Sequence, residues 1–226
     1  MLRLSVIVPC LDEAPVIEAT LQRVRSGAGV ELIVVDGGSA DGSLERARPL
    51  ADQVIAAPRG RARQMNAGAA LASGDILLFL HADTLLPFAY DTAVRESLAD
   101  PAVVAGRFDV ELEPSSPLLF LTGELMNRRS RLSRIATGDQ AIFVRRSTFE
   151  RLGGFAEIPL MEDIDLSRRL KRCGGMACLR QRVVTSSRRW RQRGIVRTIL
   201  LMWSLRLLYF LGVQPQTLAR VYLDVR

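Results

Sequence analysis

Two continuous apolar runs, each ended by polar residues, are the clearest pattern in the chain. Residues 32–35 lead into Asp36, and residues 76–80 lead into His81 and Asp83. Unbroken runs of this length are typical of strands that are buried on both faces of a sheet. Ligands of open α/β sheets bind at the carboxyl ends of the strands, so Asp36 and Asp83 are predicted to face a ligand site.

Strand and helix patterns alternate through the first half of the chain, without linkers, repeats or low-complexity stretches. Pro9 is predicted to end the first strand, and Asp12 to cap the first helix. The predicted strands are 4–8, 32–35, 53–56 and 76–80, and the predicted helices are 15–24, a helix from about Leu44, and a helix that opens at 59–66 and closes at Gly74. This alternation favours a parallel sheet with helices on both faces.

The second half is less regular but continues without a domain boundary. Strands are predicted at 103–110, 141–144 and 182–185, a helix at 118–134, a turn at 153–155, and a helix from Asp163 with its acidic start facing the site.

Composition narrows the class of protein. With 226 residues and 48% hydrophobic content, the chain is expected to form one large α/β domain with a sizeable core. Three unpaired cysteines and an N-terminus that does not resemble a signal peptide predict a reduced, cytoplasmic protein. Zinc is not indicated, because Cys173 and Cys178 have no second pair and His81 is the only histidine.

Positive charge is concentrated at the C-terminal end. From Arg180 onward there are ten arginines and one acid, Asp224, which gives this segment a balance of +9 against +7 for the whole chain. Such a segment fits nucleic acid, anionic lipid or a diphosphate. Nucleic acid is the least favoured partner, because only two aromatics, Trp190 and Trp203, flank the arginine cluster and no nucleic-acid-binding motif is present.

The apolar stretch 195–213 has nearly the length of a membrane span. Arg197 and Arg206 argue against spanning, since a central arginine costs roughly 2.5–3.5 kcal/mol on insertion. The stretch is also compatible with contact at a membrane surface, contact with a second subunit, or docking on the domain.

Four motifs in order and spacing resemble the family 2 glycosyltransferases with the glycosyltransferase A-type fold. They are SVIVPCLDE, VVDGGSADGS, FLHADT and GGF followed by EDIDL, and they extend over residues 3–172. LHADT, TGDQAIFV and the arginine-tryptophan tail are most similar to small bacterial members associated with arsenosugar biosynthesis, with carotenoid-acid glycosyltransferases as relatives. The resemblance implies a Rossmann-like mixed sheet with helices on both faces. Residues 1–185 would form the catalytic domain and 186–226 a basic, apolar helical extension of it.

The implied activity is transfer of a glycosyl group from a nucleotide-diphosphate sugar, with UDP-sugar as the expected donor, to a hydroxyl or carboxyl acceptor with inversion. A divalent cation, Mg²⁺ or Mn²⁺, would stabilise the departing diphosphate, and Asp83 is the predicted ligand. The family's usual acid-any-acid signature begins here with His81, which is either a second metal or ribose ligand or a structural, hydrogen-bonded histidine.

The resemblance also assigns roles to residues on the donor side. Pro9, Glu13 and Asp36 would bind the nucleotide, although Glu13 could equally be a solvated helix-turn residue. Arg61 or Arg63 is expected to contact the donor, because the 59–66 stretch opens a helix with guanidinium groups and free backbone amides.

On the acceptor side, Asp163 would act as general base beside Glu162. The alternative for Asp163 is a helix-start carboxylate that stabilises its own helix dipole. Asp139 would lie near the donor sugar or the acceptor. Arg189 and Trp190 match half of a motif of processive relatives and would clamp the diphosphate and support the acceptor, or else belong to a basic membrane-facing patch.

Two other classes of function stay open at this point. A nucleotidyltransferase also uses a nucleotide, a metal and strand-end aspartates, but normally has a glycine-rich phosphate loop where residues 9–13 have no glycine. A non-catalytic nucleotide-sugar or membrane-binding module would not need Asp163.

The expected partners are the donor sugar, an unidentified acceptor that a lipid phase would suit, the inner face of the cell membrane through 188–213, and a second copy of the chain.

Overall fold

The computed structural model describes residues 2–113, 116–188 and 194–224. The strands are β1 (Leu4–Cys10), β2 (Val30–Asp36), β3 (Gln53–Ala56), β4 (Ile76–Phe79), β5 (Thr84–Leu85), β6 (Val103–Glu113), β7 (Phe143–Arg145) and β8 (Gly175–Ser186). The helices are α1 (Ile17–Arg25), α2 (Ser43–Ala47), α3 (Arg61–Leu71), α4 (Tyr90–Ser97), α5 (Pro117–Ser133), α6 (Arg146–Arg151), α7 (Glu162–Leu170), α8 (Ile195–Phe210) and α9 (Pro215–Asp224), with a 3₁₀ turn at Gly138–Gln140.

All eight strands form one mixed sheet in the order β3-β2-β1-β4-β7-β6-β8-β5. The half from β3 to β4 is parallel, as the alternation of strands and helices predicts. In the other half, β7 is antiparallel to both of its neighbours and β5 is antiparallel to β8. The expectation of a wholly parallel sheet is therefore wrong, and the mixed sheet implied by the family resemblance is confirmed.

Successive side chains of the central strands point to opposite faces, and each face is covered by its own helices. Val6 packs with α1 and α4, whereas Ile7 packs with α3, α6 and α7. On the second face Gly68 lets α3 approach closely, because a Cβ there would lie 2.5 Å from Ile7 and 2.9 Å from Val35. Each fully buried aliphatic side chain of this kind contributes roughly 1.5–3 kcal/mol, so the two layers fix the strand ends that bear the polar residues.

Two local predictions at the end of β1 are wrong. Pro9 lies inside β1 and does not end it, because the last β1–β4 pair is Ile7 with Phe79 and the missing N–H falls beyond that ladder. Asp12 does not cap α1. The N-cap is Val16, and Asp12 occupies the left-handed region at φ 53°, where its carboxylate accepts a hydrogen bond from the Ala40 N–H.

A buried ionic network anchors α5 to β6. Arg107, only 1% exposed, pairs with Asp109, whose other oxygen accepts from Arg131 at 2.5 Å. Asn127 exchanges two side-chain hydrogen bonds with the backbone of Val110, at 2.8 and 3.0 Å. These bonds set the position of α5 on the sheet.

The helices α8 and α9 dock on the domain through one side only. Leu205 and Leu218 are buried against Ile135, Met161 and Ile164, so the pair covers the start of α7. Within the described residues, no helix is long and apolar enough to cross a membrane. The outward side of α8 is apolar and exposed, and its members are Val196, Leu200, Trp203, Leu207 and Phe210.

Candidate functional site

The loops after β1 and β2 are joined by side-chain-to-backbone hydrogen bonds. Ser39 Oγ accepts from the Asp12 N–H at 3.0 Å, and Ser43 Oγ accepts from the Glu13 N–H at 2.8 Å. Asp41 accepts from the Ala14 N–H at 2.9 Å. Its hydrogen bonds from the Ser43 side chain and from Ala14 hold the pKa of the Asp41 carboxyl below its usual value. Both loops are therefore set at the sheet edge before any ligand arrives.

Asp36 uses its carboxylate to shape its own loop. It accepts from the Gly38 N–H at 2.8 Å and from the Ser39 hydroxyl at 2.5 Å, and it is 3% exposed. Gly38 has a positive φ of 98°, a conformation in which glycine costs least. Asp36 is predicted to contact the nucleotide. In the structure its carboxylate also holds the turn that would surround that ligand.

Two amides of α3 hold loops at this edge, and sequence reasoning did not assign either of them a role. Gln64 is buried and donates to the carbonyls of Cys10 and Val35 at 2.8 and 2.9 Å. Asn66 exchanges two 2.9 Å hydrogen bonds with the backbone of Phe155 and so fixes the 153–155 turn. Gln64 could have been found as the polar residue on the face that Met65 and Gly68 share at helical spacing.

A cleft lies between α3, the 3₁₀ turn and the start of α7. Its lining includes Arg61, His81, Gly138, Glu162 and Asp163. The structure thus brings the second strand-end motif and the acidic pair together, although they are about 80 residues apart in sequence. The remaining lining is apolar and consists of Met65, Phe79, Ile142 and Phe155.

Asp163 is held in one orientation at the start of α7. One carboxylate oxygen accepts from the Gly138 N–H at 2.8 Å and the other from the Ile164 N–H at 2.7 Å. Met161, immediately before the acidic pair, has a left-handed φ of 72° and is buried. A bulky residue in this region indicates backbone strain, which persists only where the surroundings enforce it.

Glu162 and Arg61 form the electrostatic centre of the cleft. Glu162 is 4% exposed, and its Oε1 lies 3.6 Å from Arg61 Nη1. Burial raises the pKa of Glu162, an effect that Arg61 opposes and Asp163 reinforces. Burial lowers the pKa of Arg61, but the charges of Glu162, Asp139 and Asp163 outweigh that effect and raise it.

His81 is oriented by Asp139 and enclosed by Gly138. Its Nδ1 lies 3.3 Å from Asp139 Oδ1, and its Nε2 is buried without a hydrogen-bond partner in the part of the chain that the structure describes. A Cβ on Gly138 would collide with Nε2, so the absence of a side chain at this position leaves room for the ring. Neither ring nitrogen is freely presented to the cleft.

Among the described residues no group of three histidines, cysteines or acids is arranged to hold a metal ion. Asp83 is half-buried in a turn between His81 and Thr84, and its carbonyl accepts from the Ser186 N–H at 3.2 Å. One carboxylate at this position fits a cation that is shared with a phosphate-bearing ligand. It does not make a site that the protein alone completes.

The remaining predicted residues are not among those that line the cleft. Arg63 lies outside it, in an ion pair with Glu157 in which both side chains are more than half exposed. Glu13 pairs with Arg188 at 3.0 Å, which ties the first loop to the segment after β8. Arg189 and Trp190 lie outside the described residues.

A family model described as "Glycosyl transferase family 2" matches residues 5–151. A "PGL/p-HBAD biosynthesis glycosyltransferase" of Mycobacterium tuberculosis, and its counterpart in Mycobacterium bovis, are 32% identical over 172 residues. The match covers 67% of this chain and 62% of those relatives. The chain therefore spans less than two thirds of their length.

Solved structures agree with this match. The mannosyltransferase PcManGT of Pyrobaculum calidifontis, in complex with GDP-Man and Mn²⁺, is 28% identical with a TM-score of 0.65, covering 81% of this chain and 56% of that one. TarS of Staphylococcus aureus, in complex with UDP, has a TM-score of 0.66 at 16% identity, covers 81% of this chain and 60% of that one, and shares the fold. The resemblance to the arsenosugar-associated members stays a prediction. The chain belongs to glycosyl transferase family 2.

Proposed function

We propose that the chain transfers a glycosyl group from a nucleotide-diphosphate sugar to an acceptor hydroxyl or carboxyl group, with inversion at the anomeric carbon. The observation on which this depends most is the orientation of Asp163, held by the Gly138 and Ile164 amides at the mouth of the cleft. Each carboxylate oxygen keeps a further lone pair, so Asp163 can still accept a proton from an acceptor hydroxyl. The neighbours bound to GDP-Man and to UDP support a nucleotide-sugar donor.

The donor would occupy the edge formed by the joined loops. Asp36, Glu13 and Pro9 would surround the base and ribose, with uracil as the first base to test. Of Arg61 and Arg63, only Arg61 lines the cleft, and its charge would face the diphosphate. Arg63 would make no donor contact from its place beside Glu157.

A divalent cation, when bound, supplies Lewis-acid stabilisation of the negative charge that develops on the diphosphate. Asp83 would hold it together with phosphate oxygens of the donor. His81 is better suited to positioning the 3₁₀ turn, through its contacts with Asp139 and Gly138.

In the transfer step Asp163 removes the proton of the acceptor hydroxyl while that oxygen forms its bond to the anomeric carbon. The bond from the anomeric carbon to the diphosphate oxygen breaks on the opposite face, and the nucleoside diphosphate departs. General-base catalysis of this kind contributes roughly 10²–10⁴-fold. Glu162, buried beside Asp163, would hold Arg61 in place.

The family match favours this reaction over nucleotidyl transfer. The remaining alternative, a non-catalytic binding module, differs in one measurable respect, since it would bind a nucleotide sugar without turning it over.

We also infer that the acceptor lies at an anionic membrane surface. The exposed apolar sides of α8 and α5 are flanked by the exposed Arg128 and Arg197, which match acidic headgroups.

The test is a comparison of binding and turnover. Asp163→Asn should bind nucleotide sugars as the wild type does but lose about 10²–10⁴-fold in turnover, whereas Asp83→Ala should lose Mn²⁺-dependent binding. Asp165→Asn, on the same helix and paired with Arg169, is the matched control and should keep both. Equal turnover in Asp163→Asn and wild type would exclude Asp163 as the base, and absence of any turnover in the wild type would favour the binding module.

A further inference from the structure

Two arginines from different helices have buried guanidinium nitrogens that pair with no described residue. Arg129 of α5 has a buried Nε and Nη2, and Arg206 of α8 has a buried Nε, none of which has a hydrogen-bond partner among residues 2–113, 116–188 and 194–224. Other arginines at the α5 junction, such as Arg107 and Arg131, are paired with Asp109. Among the described residues, neither Arg129 nor Arg206 has an ion pair of this kind.

The packing of α8 and the charges around Arg129 relate both arginines to the candidate base. Leu205, the residue before Arg206, packs in the cluster with Met161 and Ile164 at the start of α7. Burial and then the charge of Arg206 lower the pKa of Arg129 to about 10, while Asp163 and Asp139 act in the opposite direction. Arg129 is therefore within electrostatic range of both Arg206 and Asp163, and Arg206 belongs to the helix that covers the start of α7.

Two buried arginine side chains with unsatisfied N–H donors destabilise the protein when no anion is bound. Each buried donor without a partner costs roughly 1–3 kcal/mol, and two like charges in a poorly solvated place repel each other. A planar guanidinium matches a phosphate or a carboxylate with two parallel hydrogen bonds. An anion of this geometry would satisfy the free donors and remove the repulsion.

We propose that Arg129 and Arg206 bind an anionic group, phosphate or carboxylate, of the acceptor. The inference rests on the proposed function, because it takes Asp163 as the base and so places the acceptor on this side of the cleft. The proposed function gives the donor's diphosphate to Arg61 and Asp83, and neither residue belongs to α5 or α8. The anion is thus a recognition group of the acceptor, held while its hydroxyl meets Asp163.

The experiment is calorimetric binding of inorganic phosphate, acetate and decyl phosphate to the full chain at low ionic strength, with and without saturating UDP. Wild type should bind phosphate in the presence of UDP. Arg129→Gln and Arg206→Gln should each weaken that binding by about tenfold or more, the loss expected when hydrogen bonds to a charged group are removed. Arg151→Gln, an exposed arginine of α6, is the matched control and should bind phosphate as the wild type does.

Each further outcome decides a point. Tighter binding of decyl phosphate than of inorganic phosphate, lost in the same variants, identifies a lipid headgroup as the source, and equal binding identifies a soluble anion. Displacement of phosphate by UDP would assign the pair to the donor and overturn the proposal, as would phosphate binding that neither variant changes. UDP binding by Arg129→Gln verifies its fold, and if UDP fails to bind wild type while phosphate binds, the donor assignment fails and not the anion site.

Discussion

Gly138 is the residue whose smallness the candidate site needs most. Its N–H donates to Asp163, and its Cα faces His81 Nε2 so closely that a methyl group would collide with the ring. Sequence reasoning found His81, Asp139 and Asp163 as separate candidates. It could not find the glycine that lies between them, because close packing across 57 residues of chain leaves no local pattern.

Gly138→Ala should displace His81 and weaken the hydrogen bond to Asp163, with a loss of stability of about 1–3 kcal/mol from overpacking. Because the chain has a single histidine, its ring resonances in an NMR spectrum report on His81 alone. They should move in Gly138→Ala and stay in place in Gly123→Ala, where the added Cβ would be 3.4 Å from the nearest atom. An unchanged ring spectrum in Gly138→Ala would contradict the packing described here.

Glu162 should make the protein less stable as the pH rises. Burial raises its pKa in the folded chain above the unfolded value, so folding favours the protonated form, and the stability present at low pH is lost as the carboxyl ionises above about pH 4.5. Glu162→Gln cannot ionise. The difference in melting temperature between Glu162→Gln and wild type should therefore shift in favour of the variant with increasing pH.

Glu157→Gln is the control for that series, since Glu157 is 61% exposed and pairs with an exposed arginine. The same melting series on Glu157→Gln gives the effect of removing an exposed carboxyl. A difference for Glu162→Gln with the same pH dependence as that for Glu157→Gln would show that Glu162 is solvated in the folded protein.

Among the helices and strands, those with strong periodicity are predicted well from the sequence. The strand at 53–56 and the helix from Pro117 to Ser133 agree with the predicted bounds within about one residue. β8 was predicted only at 182–185 and has 12 residues, and its first half is partly exposed. The two-residue β5 is too short to leave any pattern.

The attachment of α5 depends on the ion network beneath it. Asp109→Asn should leave Arg107, 1% exposed, without a compensating charge and lower the free energy of unfolding by about 3–5 kcal/mol. Urea denaturation measures this loss. Glu124→Gln breaks a partly exposed ion pair between α5 and β8 and should cost less than about 1 kcal/mol. Equal losses in the two variants would mean that burial does not distinguish the two pairs.

For the chain as a whole, the order of the strands could not be derived from the sequence. β6 pairs with β8 and β4 pairs with β7, although the paired segments are 60 or more residues apart in sequence. Neither segment of a pair has a sequence feature that identifies the other. The site at the strand ends was predictable because it needs only the rule for parallel strands. The part formed by α5, α7 and α8 depends on the docking of distant helices.

The whole molecule should bind anionic vesicles more strongly than neutral ones, and added salt should weaken this binding. A double variant, Leu200→Asp with Leu207→Asp, places charge on the apolar outer side of α8 and should abolish binding in a sedimentation assay. Leu71→Asp, at an exposed leucine of α3, should have no effect. If the double variant instead loses only self-association of the wild type, the surface is a contact between two copies of the chain.

The apolar outer sides of α5 and α8 also have a consequence for the protein in dilute buffer. Trp203 is 63% exposed and Leu132 is 89% exposed. An apolar surface is therefore in contact with water, and other copies of the chain can cover it. Hydrophobic attraction weakens on cooling and strengthens in sulfate, whereas the net charge of +7 keeps copies apart until ions shorten its range to about 10 Å at 0.1 M. The protein is therefore expected to stay dispersed in cold buffer of low salt concentration. Warming or added sulfate is expected to cause association through the apolar outer sides of α5 and α8.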